Sequence, residues 1–134
     1  MVKKHTSLTL LLIITCLGFV IRLSYFIGNN FPLHDGGLFY VMIQDLLSNK
    51  FILPDYSSYN NANIPYIYPP FGFYFVGILE SLTGISRLQL FRIIPLLVTT
   101  LTIPAFYFLA IEINKNRWTA LTATTVFSLL PAAY

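Results

Sequence analysis

The sequence predicts an all-α membrane protein in which transmembrane helices flank an extracytoplasmic loop bearing short juxtamembrane helices. Two observations carry that prediction. Of the 134 residues, 56% are hydrophobic and only 10% charged, against roughly 25% charged in soluble domains. The mean hydropathy is +0.70, and the apolar residues gather into long runs parted by one polar stretch. Lipid spares helices from burying every apolar face in a protein core, so a few spans and one loop account for the whole length. The chain therefore holds one domain or part of one.

The first element follows Lys3 and Lys4 and runs from Leu8 to Gly28. Its roughly 21 residues cover about 31 Å as a helix, close to the hydrocarbon thickness of a bilayer. The run is longer than the apolar core of a cleaved signal, and no A-x-A-like site follows it, so it is expected to stay attached. The two lysines place the N-terminus in the cytoplasm of a plasma-membrane protein. Cys16 lies mid-span as a small apolar filler, and Thr15 before it is not the small residue of a lipoprotein signal.

The polar loop covers about 29–68 and holds Asn29, Asn30, Asp35, Asp45, Asp55, Asn60, Asn61 and Asn63. Within it Phe39, Met42, Ile43, Leu46 and Leu47 recur at helical spacing while Tyr40, Gln44, Asp45 and Ser48 fall elsewhere, which predicts a short amphipathic helix along the membrane interface, stopped near Asn49. An aromatic stretch from Tyr56 to Phe75 suits the headgroup level. Pro69 and Pro70 then open a helix over about 69–84 that Gly84 stops. It is short for a crossing and contains Glu80, so an interfacial or re-entrant placement is favoured over a full span.

Residues 90–113 are long enough to span, with Pro95 and Pro104 as expected bends, and 118–134 begins a further apolar segment still running where the sequence stops. Three crossings are expected. The positive-inside count for Arg87, Arg92, Lys115 and Arg117 is a tie between topologies. The net charge is +3, with Lys and Arg scattered singly or in pairs; that excludes a nucleic-acid footprint.

Asp35, in Leu33-His34-Asp35-Gly36-Gly37, has two readings: a carboxylate that accepts a proton or holds a cation, or the N-cap of the helix that follows. Arg22 lies inside the first span, where a guanidinium either snorkels outward or pairs with a carboxylate or lipid phosphate. Arg87 and Arg92 clasp a phosphate if they are outside and are ordinary anchors if they are inside. His34 has no partner for a zinc-type site, since the only other histidine is His5. No phosphate-binding glycine loop, CxxC pair or serine-nucleophile elbow is present. The threonines at 99–100 and 122–125 are expected to bond to helix backbone.

The order of these features resembles the N-terminal part of the GT-C membrane glycosyltransferases, of the protein mannosyltransferase and aminoarabinose transferase type. In that family a first extracytoplasmic loop carries an acidic motif, typically Asp-Glu, then a Tyr, then a Pro-Pro-Leu-Tyr-like stretch. Asp35 matches the Asp, Tyr40 the Tyr, the Tyr68-Pro69-Pro70-Phe71-Gly72-Phe73-Tyr74 segment the Pro-Pro stretch, and Arg92 an Arg just before a span. Gly36 stands where the family often has Glu, leaving one carboxylate. The resemblance implies transfer of a sugar from a polyprenyl-phosphate carrier to an acceptor at the outer membrane face. Asp35 would act as base, with Arg92 steadying the leaving phosphate and Arg22, Tyr40 and Arg87 as further substrate-binding residues. Some relatives bind a divalent metal, for which Asp35 alone is a poor ligand set. Family members are several times longer with a second acidic motif, so the chain is expected to be a fragment, inactive alone. A small non-catalytic anchor or accessory subunit is the alternative; a transporter fragment is weaker.

Overall fold

The computed structural model describes residues 4–27 and 35–130. Lys3, the end of the first expected span at Gly28, Asn29, Asn30, Leu33, His34 and the last four residues of the third lie outside them. Five α-helices occur among the described residues: α1 (Lys4–Ile27), α2 (Gly36–Ser48), α3 (Phe71–Thr83), α4 (Arg87–Asn114) and α5 (Arg117–Leu129). The loop between α2 and α3 is not wholly irregular. Strands β1 (Tyr56–Ser57) and β2 (Ile64–Pro65) pair antiparallel, Tyr56 opposite Pro65 and Ser57 opposite Ile64. The connection between them turns on Asn60, Asn61 and Asn63, all in the left-handed region at φ 52°, 54° and 47°, a conformation that asparagine adopts more readily than most side chains.

The chain forms two units, one of residues 1–30 and 94–134 and one of 31–93. The first contains α1, α5 and most of α4. Its core is Leu11, Tyr107, Ala110, Ala120 and Leu121, with Phe106 and Phe127 stacked at 4.5 Å between ring centres. Small residues set the approach: an added Cβ at Gly18 would stand 2.4 Å from Ile103 Cδ1 and 3.3 Å from Ser128 Cβ. Asn116 caps α5 by accepting from the backbone N–H of Trp118 at 2.9 Å and of Thr119 at 3.5 Å, satisfying donors that a helix start leaves free. Thr124 and Thr125 donate to the carbonyls of Ala120 and Leu121, and Thr99 to that of Pro95. α4 continues through Pro95 and Pro104 as one helix.

The stretches His5–Ser24 and Arg87–Asn114 are long and apolar enough to cross a membrane, and less than a quarter of either apolar window is buried within the protein. α5 covers the described part of the expected third span, whose residues 131–134 lie outside the described residues. α5 has 13 residues, about 20 Å as a helix. It ends where Leu130 turns extended at ψ 125°, because the residue before a proline, here Pro131, is pushed out of the helical region.

The second unit is built on the pairing of α2 with α3. The apolar face read from the spacing of α2 is present, with Met42, Ile43 and Leu46 fully buried. It is covered by α3 rather than laid on a membrane interface: Gly77 of α3 comes close enough that a Cβ there would meet Leu47 and Phe51 at 3.4 Å and Ile43 at 3.8 Å. Aromatic rings close the layer, Phe39 against Tyr68 and Phe73, Tyr66 against Phe73, and Phe51 stacked on Tyr74. α3 begins after Pro70, whose carbonyl accepts from Tyr74 N–H at 3.1 Å. It ends at Gly84, which takes φ +69° and donates to the Glu80 carbonyl at 3.0 Å, a left-handed C-terminal cap that glycine enters without steric cost.

Candidate functional site

Asp35 directly precedes α2, and its backbone carbonyl accepts from Phe39 N–H at 3.0 Å. Its carboxylate makes no capping hydrogen bond and is exposed. The capping reading of the side chain therefore does not describe this structure. The helix starts on Gly36 and Gly37, which place no side chain beside the carboxylate. Chemically, Asp35 offers an open oxygen acceptor at the start of a helix, with Tyr40 five residues further along it.

Tyr40 and Arg87 are brought together. Arg87, 7% exposed, opens α4. Its Nη1 donates to the Tyr40 carbonyl at 2.8 Å, and its guanidinium carbon lies 4.5 Å from the centre of the Tyr40 ring. Nε and Nη2 donate to the two oxygens of Glu80 at 2.8 and 3.2 Å. A cation at a helix N-terminus opposes the helix dipole, and the Glu80 carboxylate across the Gly84 turn offsets that. Arg87 thus ties together α2, α3 and the start of α4. Two features bear on the expected phosphate clasp of Arg87 and Arg92. The fork that would hold a phosphate already holds a carboxylate in the same bidentate geometry. Arg92 lies five residues further along the same helix, so about 140° round its axis from Arg87; the half-buried Arg92 and Arg87 do not share a face.

Arg22 belongs to the other unit and is fully buried. It does not extend to the protein surface. Its Nη1 donates to the carbonyls of Gly18 at 3.0 Å and Ser128 at 3.1 Å. Ser128 lies in the last turn of α5, whose carbonyls lack partners within the helix and carry partial negative charge. The end of α5 thus supplies partial negative charge to this guanidinium.

Asp45, which its spacing places on the polar face of α2, organises the loop. Oδ2 accepts from Ser57 Oγ at 3.0 Å and from Ser58 N–H at 2.8 Å, while Oδ1 accepts from Ser58 Oγ at 2.6 Å. Below this clamp Tyr66 is buried and donates its hydroxyl to the Met42 carbonyl. Burial pushes the Tyr66 hydroxyl well above the ordinary tyrosine range, with the charge of Asp45 and then Tyr74 adding to the effect. An open depression of about 450 Å³ lies over the clamp, lined by Asp45, Ser48, Asn49, Pro54, Tyr56 and the two serines. None of the five residues singled out from the sequence lines it. Among the described residues no group of three or more His, Cys, Asp or Glu side chains is placed to hold a metal ion.

Compared with protein-family models, with curated proteins and with solved structures, the chain matches none.

Proposed function

We propose that the chain is the N-terminal part of a GT-C-type membrane glycosyltransferase that moves a sugar from a polyprenyl-phosphate carrier to an acceptor at the extracytoplasmic face. The observation that carries the reading is the exposed, uncapped carboxylate of Asp35 at the head of α2. A carboxylate held there by backbone alone is open to accept the proton of an acceptor hydroxyl as the glycosidic bond forms. Further support comes from the order of Asp35, Tyr40, Pro69-Pro70-Phe71 and Arg92 along the chain. The membrane part rests on the two long apolar helices, whose exposed Leu12, Leu17, Leu101 and Phe108 find an apolar solvent in lipid. Lys3 and Lys4 then favour a cytoplasmic N-terminus.

In this reading Arg92 is the cation retained for the leaving phosphate. Arg22 and Arg87 pass from substrate binding to packing, and Tyr40 sits under Arg87. The same engagement of Arg22 and Arg87 in packing is what favours the second reading, a non-catalytic anchor or accessory subunit.

The test is made in membranes from cells expressing the complete reading frame, with a radiolabelled polyprenyl-phosphate sugar. Release of the label by the wild-type protein and its loss in Asp35→Asn, at equal membrane content, is the expected result. Full release by Asp35→Asn removes Asp35 as base. No release by the wild-type protein favours the accessory reading.

A further inference from the structure

We propose that α3 is a lipid-seated helix, its outer stripe covered by acyl chains and its inner face roofed by α2 on the water side. The inference rests on the membrane reading above and deepens it by naming the surface through which the second unit meets the bilayer.

At about 100° per residue, Phe71, Phe75, Ile78 and Leu82 fall within about 60° of one another round the axis, while Phe73, Val76, Gly77 and Glu80 centre about 180° away. The structure divides the helix along that line. Phe73, Val76 and Gly77 are buried, whereas Phe71 is 79% and Leu82 78% exposed, with Phe75 and Ile78 nearly half so. Phe71 and Phe75 stack on one another on the exposed side. An apolar helix stripe belongs against protein or in lipid, and among the described residues protein covers the inner side of α3 and leaves this stripe exposed.

Three observations choose lipid as the occupant of the other side. The polar groups of α3 are already satisfied by the protein: Ser81 and Thr83 donate to the carbonyls of Gly77 and Leu79 at 2.8 and 2.6 Å, and Glu80 accepts from Arg87. Nothing on the stripe asks for water. The opposite surface of the pair is polar, with Gln44 and Ser48 of α2 exposed, so the α2 and α3 pair has one face for each phase. The Gly84 turn then leads α3 directly into α4, a helix long enough to cross. A second copy is disfavoured by area. Four side chains exposed to this extent offer roughly 450 Å², where a stable interface uses about 800 Å² per partner. Thirteen residues reach only about 20 Å, so α3 lies along the bilayer surface rather than through it, its apolar face sunk about 5–10 Å.

The test is nitroxide labelling of the full chain carrying Cys16→Ser, reconstituted in phosphatidylcholine and phosphatidylglycerol vesicles, with collision by oxygen and by a water-soluble nickel chelate as the readout. Single sites are Phe75→Cys and Leu82→Cys on the stripe, Ser48→Cys on α2, and Leu17→Cys and Leu101→Cys on the long helices. The expected result is an oxygen-to-nickel ratio at Phe75 and Leu82 severalfold above that at Ser48. Nickel-dominated collision at the stripe with oxygen-dominated collision at Leu17 and Leu101 overturns the lipid seat alone. Shielding from both probes at the stripe overturns it in favour of a protein cover. Nickel-dominated collision at Leu17 and Leu101 overturns the membrane reading and this inference with it.

Discussion

Arg87 and Glu80 stand seven residues apart on either side of the Gly84 turn, and the guanidinium grips both carboxylate oxygens, Nε to Oε2 at 2.8 Å and Nη2 to Oε1 at 3.2 Å. Breaking one partner of a buried pair leaves the other charge uncompensated, at a cost of about 3–5 kcal/mol when both are fully buried. Glu80 is 26% exposed, so water relieves part of that. Glu80→Gln is expected to lower stability by about 2 kcal/mol, read as a lower thermal midpoint of the detergent-solubilised chain. Glu80→Gln with Arg87→Met should recover part of the loss, since no bare charge remains. An unchanged midpoint in the single variant means that the pair adds no net stability.

Two glycines on helix faces should respond oppositely to the same substitution. In Gly18→Ala the new methyl meets Ile103 Cδ1 at 2.4 Å and Arg22 Nη1 at 3.0 Å, and Ile103 is itself fully buried, so something must shift. Overpacking of this kind costs about 1–3 kcal/mol. In Gly77→Ala the nearest atoms stand at 3.4 Å, an ordinary contact, and alanine gains up to about 1 kcal/mol in a helix interior. The prediction is a loss for Gly18→Ala and no loss for Gly77→Ala, compared by unfolding in one detergent. A loss at Gly77 as large as at Gly18 contradicts the packing described.

The parts of this fold that could be read from the sequence are those fixed by neighbours in the chain. Met42, Ile43 and Leu46 reveal a helix face because periodicity is local, and Pro70 and Gly84 mark the ends of α3 because their backbone restrictions are their own. What covers that face is not local. The interface was the expected cover, but α3 supplies it from some 30 residues away. Arg22 shows the limit most sharply: its carbonyl partner on Ser128 lies 106 residues on, and a helix end offers no side chain to search for. Arg87 reaches Tyr40 across 47 residues. Glu80 and Arg87 stand only seven residues apart, but the Gly84 turn lies between them, so helical spacing does not pair them. The asparagines of the loop also carried a legible signal. Beyond adding polarity, Asn60, Asn61 and Asn63 together mark a left-handed turn between paired strands. For the candidate site, local order along the chain singles out Asp35 and Arg92, whereas the contacts of Arg22 with Ser128 and of Arg87 with Tyr40 come from chain positions far apart.

Asp45 should control the order of the loop that follows α2. One carboxylate accepts three hydrogen bonds from Ser57 and Ser58, and bonds to a charged acceptor contribute about 1.5–3 kcal/mol each at most. Part of that is returned by water at the exposed Ser58. Asp45→Ala is expected to speed hydrogen exchange of the Ser58 amide at least tenfold, equivalent to about 1.4 kcal/mol, while amides in the middle of α1 keep their protection. Unchanged exchange at Ser58 means that the strand pairing, not Asp45, holds the loop.

Tyr66 carries a pH dependence whose sign follows from its surroundings. Its hydroxyl is buried, donates to the Met42 carbonyl and faces the charge of Asp45, all of which favour the protonated form and raise its folded pKa above the unfolded value of about 10. The folded state then binds the proton more tightly than the unfolded one. The contribution is fully present below about pH 10 and is lost as pH rises through the folded value, because the unfolded chain ionises first. In a spectrophotometric titration, the folded wild-type chain should show a tyrosine component that ionises above the ordinary tyrosine range, contributed by Tyr66. Tyr66→Phe should abolish that late component and flatten the fall in stability above pH 10. It should also cost about 1 kcal/mol near neutral pH for the lost hydrogen bond. If the fall above pH 10 is equally steep in Tyr66→Phe, another group carries it, and the clamp beneath Asp45 is not the alkaline weak point of the second unit.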